Sequence, residues 1–404
     1  MTSPGAVNVS IMRGGTSKGV FVMLRDLPNA GPERDDFARR LLGSPDPMQL
    51  DGLGGTHSST SKLVAVGTPS DAANFGHEVP DGVELCYLFA QVGVDSNSVD
   101  WRGNCGNLTT AVGPYALHEG MVEASGRSAD IRLLNLNVNG QVVVHIPMLD
   151  GEPDSAGDFR LDGVPGTAAR IDVDYISPAG SVTGALWPMG SLISRIQVGD
   201  DNLEVTMIDV GTPVAIIRAE ELGFDMTRTL AELNADAKLL NRLERIRAYV
   251  AEKSGIVRKA ADAWSQSPAV PRVVVATVPS DTAESSDGPD ITVRMTSMGV
   301  IHHALPATGL MAIAAAMRIP GTVLTLDRQI FAREVSVGHP KGTAIATADV
   351  ESSEDGPVVR NVGLARTARR ILKGTAFLAP VHPPGSADHG DHRVMPGSQL
   401  EENA

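Results

Sequence analysis

Apolar residues alternate with polar ones from Val7 to Met12 and return in Val20-Phe21-Val22-Met23-Leu24 after a glycine-rich turn, a pattern that predicts two strands joined by a hairpin. A short helix follows from Glu33 to Leu42, where Phe37, Leu41 and Leu42 share one face. Further strands are predicted at Lys62 to Val66, Val83 to Val92, Ile131 to Asn137 and Gln141 to Ile146, with Asn139-Gly140 as a hairpin turn between the last two. Helices are predicted at Leu108 to His118 and at Arg228 to Glu252. In the second, Leu230, Leu233, Leu240, Leu243, Ile246 and Val250 recur at spacings suited to one helical face, with Asp225 or Thr227 as its cap.

The chain also echoes itself. The segment from Ser10 through Gly15-Thr16 to Leu27 resembles that from Met207 through Gly211-Thr212 to Leu222. The polar loop Gly103-Asn104-Cys105-Gly106-Asn107 and its small-residue helix likewise resemble His302 to Ala316, with Cys105 matched to about Leu305. Two matches at nearly one offset indicate a duplicated architecture. The expected organisation is an N-terminal lobe over residues 1–185, a C-terminal lobe over 186–376, and a disordered tail over 377–404, which is rich in proline, glycine and histidine without periodicity.

With 404 residues, the chain is long enough for two substantial cores. Lys and Arg number 34 against 48 Asp and Glu, a net charge of −14, so the overall field repels nucleic acid and anionic membrane. Any anionic ligand must be held by local chemistry. No apolar run approaches the roughly 20 residues of a membrane helix, and the start carries no secretory pattern, so a cytoplasmic location is expected. The two cysteines, Cys86 and Cys105, exclude a disulfide scaffold and a four-thiolate zinc site.

Several motifs invite chemistry. Ser17-Lys18-Gly19 reverses the Gly-Lys-Ser/Thr order of a phosphate loop, and Gly52-Leu53-Gly54-Gly55-Thr56-His57 fails the dinucleotide fingerprint, so no nucleotide cofactor is indicated. No His/Cys/Asp cluster in the body of the chain has metal-ligand spacing. His302 and His303, adjacent in sequence, would point apart on a strand. The loop from Gly103 to Asn107 precedes a predicted helix, so its free amides suit a carboxylate or phosphate, and Cys105 there could transfer a proton or act as a nucleophile. Cys86 reads as a buried strand thiol. Two lysines stand in identical tripeptides, Thr16-Ser17-Lys18 and Thr60-Ser61-Lys62, and either could be a base. Lys62 leads into Leu63-Val64-Ala65-Val66, where partial burial would favour the neutral amine.

A family resemblance rests on these and other segments: Met12-Arg13-Gly14-Gly15-Thr16-Ser17-Lys18-Gly19, Gly43-Ser44-Pro45-Asp46-Pro47, Asp51 to Gly55, Thr60-Ser61-Lys62, Gly103 to Asn107, Ser297-Met298-Gly299, His302-His303-Ala304 and Arg366-Thr367-Ala368-Arg369. Together they resemble the PrpF family of 2-methylaconitate and aconitate isomerases, related to 4-oxalomesaconate tautomerases and 3-methylitaconate isomerases, over about residues 8 to 374. The resemblance implies an α+β, diaminopimelate-epimerase-like fold of two pseudo-symmetric lobes, each a sheet wrapped around a central helix, with the two helix N-termini facing each other across the ligand. Epimerases of this fold use one cysteine from each lobe. Here the loop from Ser297 to Gly309 has none, and the family's lysine, carried over as Lys62, supplies the partner.

The implied reaction is a cofactor- and metal-independent 1,3-allylic proton shift in an unsaturated tricarboxylic acid, most simply 2-methylaconitate/aconitate isomerisation. Lys62 is the expected base and Cys105 a thiol donor. The amides around Asn104, Gly106 and Asn107 would stabilise the dienolate, and Thr16, Ser17, Ser297, Met298 and His302 are carried over as substrate-binding residues. The expected partner is a small polycarboxylate, and a homodimer is compatible with the sequence. The alternatives are a keto-enol tautomerase of 4-oxalomesaconate and a catalytically silent small-acid binding protein.

Overall fold

The computed structural model describes residues 5–101, 103–279, 288–326, 330–354 and 356–378. Its first half contains β1 (Ala6–Gly14), β2 (Ser17–Met23), α1 (Pro32–Leu42), β3 (Lys62–Gly67), α2 (Pro69–Asn74), β4 (Leu85–Val92), β5 (Val99–Asp100), α3 (Gly106–Thr109), α4 (Val112–His118), β6 (Ser128–Asn135), β7 (Gly140–Leu149), β8 (Glu152–Pro153) and β9 (Ile171–Ile176). The second contains β10 (Ser194–Val198), β11 (Asp201–Asp209), β12 (Pro213–Arg218), α5 (Ala219–Leu222), α6 (Leu230–Ala235), α7 (Ala237–Lys253), α8 (Ala263–Gln266), β13 (Arg272–Thr277), β14 (Ile291–Ser297), β15 (Val300–Ile301), α9 (Ala307–Arg318), β16 (Glu334–His339), β17 (Gly342–Ser353), β18 (Gly356–Arg366) and β19 (Ala368–Phe377).

Strand pairing repeats. β1, β2, β3, β4, β6, β7 and β9 join in that order by antiparallel, parallel, antiparallel, parallel, antiparallel and antiparallel ladders. The same alternation runs through β11, β12, β13, β14, β16, β17 and β18. The hairpin turns Gly15-Thr16 and Gly211-Thr212 occupy equivalent places, and both glycines have the positive φ that such turns need, +50° and +70°. The two sheets meet where β18 pairs with β9. β19 lies outside the second sheet: residues 368–377 hydrogen-bond to β1, so the chain returns to the first lobe and ties its ends together. Phe377, expected in the tail, closes that ladder opposite Ala6. The remainder of the expected tail, from 379 on, lies outside the described residues.

The layers follow from which face of each strand is apolar. One core, containing Phe21, Val64, Val66 and Phe89 from the first sheet, Ile216, Val274 and Val293 from the second, and Leu108, Val112, Leu310 and Ile313 from the helices, fills the space between the sheets. The outer face of the first sheet is covered by α1, through Phe37, Leu41 and Leu42 against Val20, Val22 and Leu63. The outer face of the second is covered by α6 and α7, through Leu233, Leu243, Ile246 and Val250.

Both long predicted helices are interrupted. Pro114 has no N–H for the carbonyl four residues earlier, so the run from 106 to 118 divides at Thr110-Ala111 into α3 and α4. The run from 230 to 253 divides at Asp236, whose carboxylate caps α7 through the Leu239 N–H, while Thr229 and Glu232 form a capping box on α6. Thr229 and Asp236, rather than Asp225 or Thr227, are therefore the caps. The β6–β7 connection is a four-residue loop, because Asn135 already pairs with Gly140 and only Asn139 (φ +51°) takes the left-handed turn conformation.

Candidate functional site

Alternation along β2 and β3 separates the twin lysines. Val20 and Val22 face the outer core beside α1, so Lys18, two residues earlier, shares that face. Ser17, Gly19 and Phe21 face the helices between the sheets. On β3, Val64 and Val66 face inward, and Lys62 does so with them. Lys62 is 9% exposed; its Nζ donates to Gln91 Oε1 at 2.5 Å and sits 5.1 Å from the Phe89 ring centroid. Gln91 is held in turn by its own amide, which donates to the carbonyls of Ser58 and Ser61. Gly19 makes room for this packing: a Cβ there would stand 2.7 Å from Leu108 Cδ1 and 3.1 Å from the Lys62 carbonyl.

Cys105 is the N-cap of α3, and its Sγ lies 4.0 Å from Ser17 Oγ. Asn107 Nδ2 donates to Thr16 Oγ1 at 3.0 Å and lies 3.5 Å from Ser17 Oγ. Asn104 Oδ1 accepts from Thr109 Oγ1 at 3.5 Å, and Thr109 also bonds the Tyr87 hydroxyl, which accepts from Asn135. This buried polar chain anchors the start of α3. Phe89 joins the two halves of the site, since its Cε1 lies 4.0 Å from where a Gly103 Cβ would be. Thr16, Ser17, Lys62, Asn104, Cys105, Gly106 and Asn107 thus form one connected group.

The second lobe enters through α9. A Cβ on Gly106 would come within 2.8 Å of Ala307 Cβ, so the first residues of α3 and α9 touch. Ser297 ends β14, and Met298, exposed and at φ +51°, makes the turn into β15. His302 follows, its Nδ1 engaged by Ala304 through O at 2.8 Å and N at 3.0 Å. His302 and His303 do not point apart: both lie past the end of β15, and their rings stack with centroids 4.4 Å apart. Among the described residues no group of three or more His, Cys, Asp or Glu could hold a metal ion. A cavity of about 400 Å³, lined by Asn139, Tyr175, Ser177, Gly211 and Met311, includes only Asn104 from the candidate set.

The duplication is asymmetric in chemistry. Phe21 pairs with Val64 as Ile216 pairs with Val274, all four on the inward face, so the position of Lys62 is taken by Arg272, and that of Cys105, the N-cap of the central helix, by Pro306. The Cys105 counterpart is therefore one residue beyond Leu305.

Burial pushes the pKa of His302 down to about 4, helped by His303, Arg272 and His339, and that of His339 down to about 4, helped by Arg366, Arg294 and His303. Both values lie below the ordinary 6.5, so the unfolded chain binds protons that the native state refuses, and stability falls as pH drops from about 6.5 to 4. The loss is expected to reach up to about 3 kcal/mol per histidine. Denaturant unfolding at pH 7 and pH 4.5 checks this, with His339→Gln showing the smaller loss.

The PrpF family profile matches residues 5–379. The chain belongs to the PrpF family. This PrpF protein is 37% identical to a 2-methyl-aconitate isomerase of Shewanella oneidensis, over 91% of this chain and 96% of that one. It is 36% identical to a 4-oxalomesaconate tautomerase of Pseudomonas putida, over 91% and 95%. Among solved structures it is similar to a methylitaconate-delta-isomerase, with TM-score 0.79, 32% identity and coverage of 94% and 99%. A hydroxyproline epimerase from Agrobacterium vitis, at TM-score 0.53 and 10% identity over 94% of each chain, shares the fold. This PrpF protein is accordingly an isomerase with the epimerase-like α+β fold.

Proposed function

We propose that the protein moves a carbon–carbon double bond in an unsaturated tricarboxylic acid by 1,3-allylic proton transfer, with 2-methylaconitate or aconitate as substrate and no metal or organic cofactor. The observation that carries this reading is the inward face shared by Lys62 and Ser17, with Cys105 beside Ser17 at the start of α3. The relatives named for isomerising such acids support the substrate class.

The Lys62 amine takes a proton from the carbon next to the conjugated system and becomes an ammonium. Gln91 accepts one of its N–H groups, which leaves the amine lone pair free to act. The electron pair released from the C–H bond spreads onto a carboxylate as a dienolate. The N–H groups of Gly106 and Asn107, without partners inside α3, and the Asn104 amide stabilise that charge, each worth about 3 kcal/mol. The Cys105 thiol then protonates the carbon two positions away. One C–H bond breaks, one forms, and no redox change occurs. Lys62 finishes protonated and Cys105 deprotonated, so solvent must reset both. Thr16, Ser17, Ser297, Met298 and His302 bind the substrate; His302 is neutral at pH 7 and, with Nδ1 taken by Ala304, offers Nε2.

The same reading divides the chain into lobes over residues 1–185 and 186–376, with β19 exchanged onto the first. It is tested by side-by-side turnover of 2-methylaconitate, aconitate and 4-oxalomesaconate by the purified protein, with and without chelator. Faster turnover of the aconitates, insensitive to chelation, is expected. Preference for oxalomesaconate would transfer the assignment to the tautomerase activity that the Pseudomonas putida relative is named for.

A further inference from the structure

Arg366 ends β18 and is 4% exposed, yet no step above uses it. Burial lowers its pKa to about 10, so it is charged at neutral pH. Among the described residues no carboxylate pairs with it; Nη1 donates to the Ala365 carbonyl at 2.8 Å and Nε to Asn107 Oδ1 at 3.4 Å. A buried guanidinium without a counter-charge is costly.

The contact with Asn107 has a directional consequence. A guanidinium only donates, so it meets the amide at Oδ1, and Nδ2 must point the other way. There it reaches Thr16 Oγ1 and Ser17 Oγ. A hydroxyl oxygen that accepts from Nδ2 keeps its own proton free to donate elsewhere. The turn itself packs on the amide: a Cβ on Gly15 would stand 2.3 Å from Asn107 Oδ1. Thr367, the next residue, holds the same turn, its carbonyl accepting from the Gly15 N–H at 2.9 Å and from Arg13 Nη1 at 3.0 Å.

We infer that Arg366 is a positioning residue for ligand binding, fixing the Asn107 amide so that Thr16 and Ser17 turn their hydroxyl protons toward a carboxylate of the substrate. The inference rests on the functional reading above for the location of the carboxylate. It also makes binding depend on both lobes, because the guanidinium comes from β18 and the hydroxyls from the β1–β2 turn. An aspartate at position 107 would reverse the polarity: Arg366 would still be paired, but Thr16 and Ser17 would donate inward.

The test is calorimetric binding of tricarballylate, a saturated tricarboxylate, to the wild type and to Arg366→Met, Arg366→Lys, Asn107→Ala, Asn107→Asp and the Arg366→Met/Asn107→Ala double variant. Arg366→Met and Asn107→Asp are each expected to weaken binding at least tenfold. Arg366→Lys, which can still donate to Oδ1, should recover part of the loss. In the double variant, Arg366→Met should add less than twofold to the effect of Asn107→Ala. Where substrate turns over, the loss should fall on KM more than on kcat. Fully additive losses, wild-type affinity in Asn107→Asp, or no binding by the wild type would overturn the inference. If Arg366→Met does not fold, Arg366→Lys and Asn107→Asp decide it alone. A wild type that binds tricarballylate with the non-additive pattern, yet moves no double bond, supports the role of Arg366 and contradicts the isomerase reading.

Discussion

Lys62→Met is expected to lower kcat by about 10²- to 10⁴-fold, the usual contribution of a positioned general base. Methionine keeps an unbranched stem of similar length against Phe89 and removes only the amine, so the packing of β3 survives. Gln91 loses one contact but stays anchored through its own amide to Ser58 and Ser61, and the cost in stability should be about 1 kcal/mol. Lys18→Met is the control. Its side chain leaves β2 on the opposite face, so its rate should stay close to that of the wild type. Steady-state kinetics on both variants, with thermal melts to confirm folding, make the comparison. A dead Lys18 variant beside an active Lys62 variant would reverse the assignment.

The second large effect is expected at Cys105. Serine keeps a small group that can still hydrogen-bond near Ser17 Oγ, but it is a far weaker acid. Cys105→Ser should therefore lose about 10- to 10²-fold in kcat while substrate affinity changes little. Cys105→Ala removes the proton donor altogether and should be slower still. A nucleophilic thiolate would instead form a covalent adduct, which intact-mass measurement on wild type incubated with substrate would detect. A stable adduct mass would count against the neutral-donor role.

Much of this fold was legible in the chain because short-period patterns and turn chemistry are local. Val7 to Met12 and Val20 to Leu24 flank a turn at Gly15-Thr16, and the copy around Gly211-Thr212 occupies the equivalent hairpin. Part of what went unread depended on partners distant in sequence. β19 pairs with β1 across more than 350 residues, and nothing local distinguishes it from a strand that stays in its own lobe. The helix breaks at Thr110-Ala111 and Asp236 did have local signals, in Pro114 and in the capping box of Thr229 and Glu232. The continuous apolar spacing on either side outweighed them. The twin tripeptides were undecidable as tripeptides: Lys18 and Lys62 separate only when their strands are docked and the faces are known. Arg366 was visible within a motif, but its contact with Asn107, 259 positions away, exists only in three dimensions.

The central claim is that Lys62 and Cys105 relay protons that exchange with solvent between abstraction and return. Wild-type protein incubated with 2-methylaconitate or aconitate in deuterated water, sampled by mass spectrometry and NMR, tests it most directly. The proposed mechanism predicts deuterium at the newly protonated carbon of the product, and loss of that labelling in Lys62→Met. Isomerised product carrying no deuterium, or labelling that persists undiminished in Lys62→Met, would contradict it.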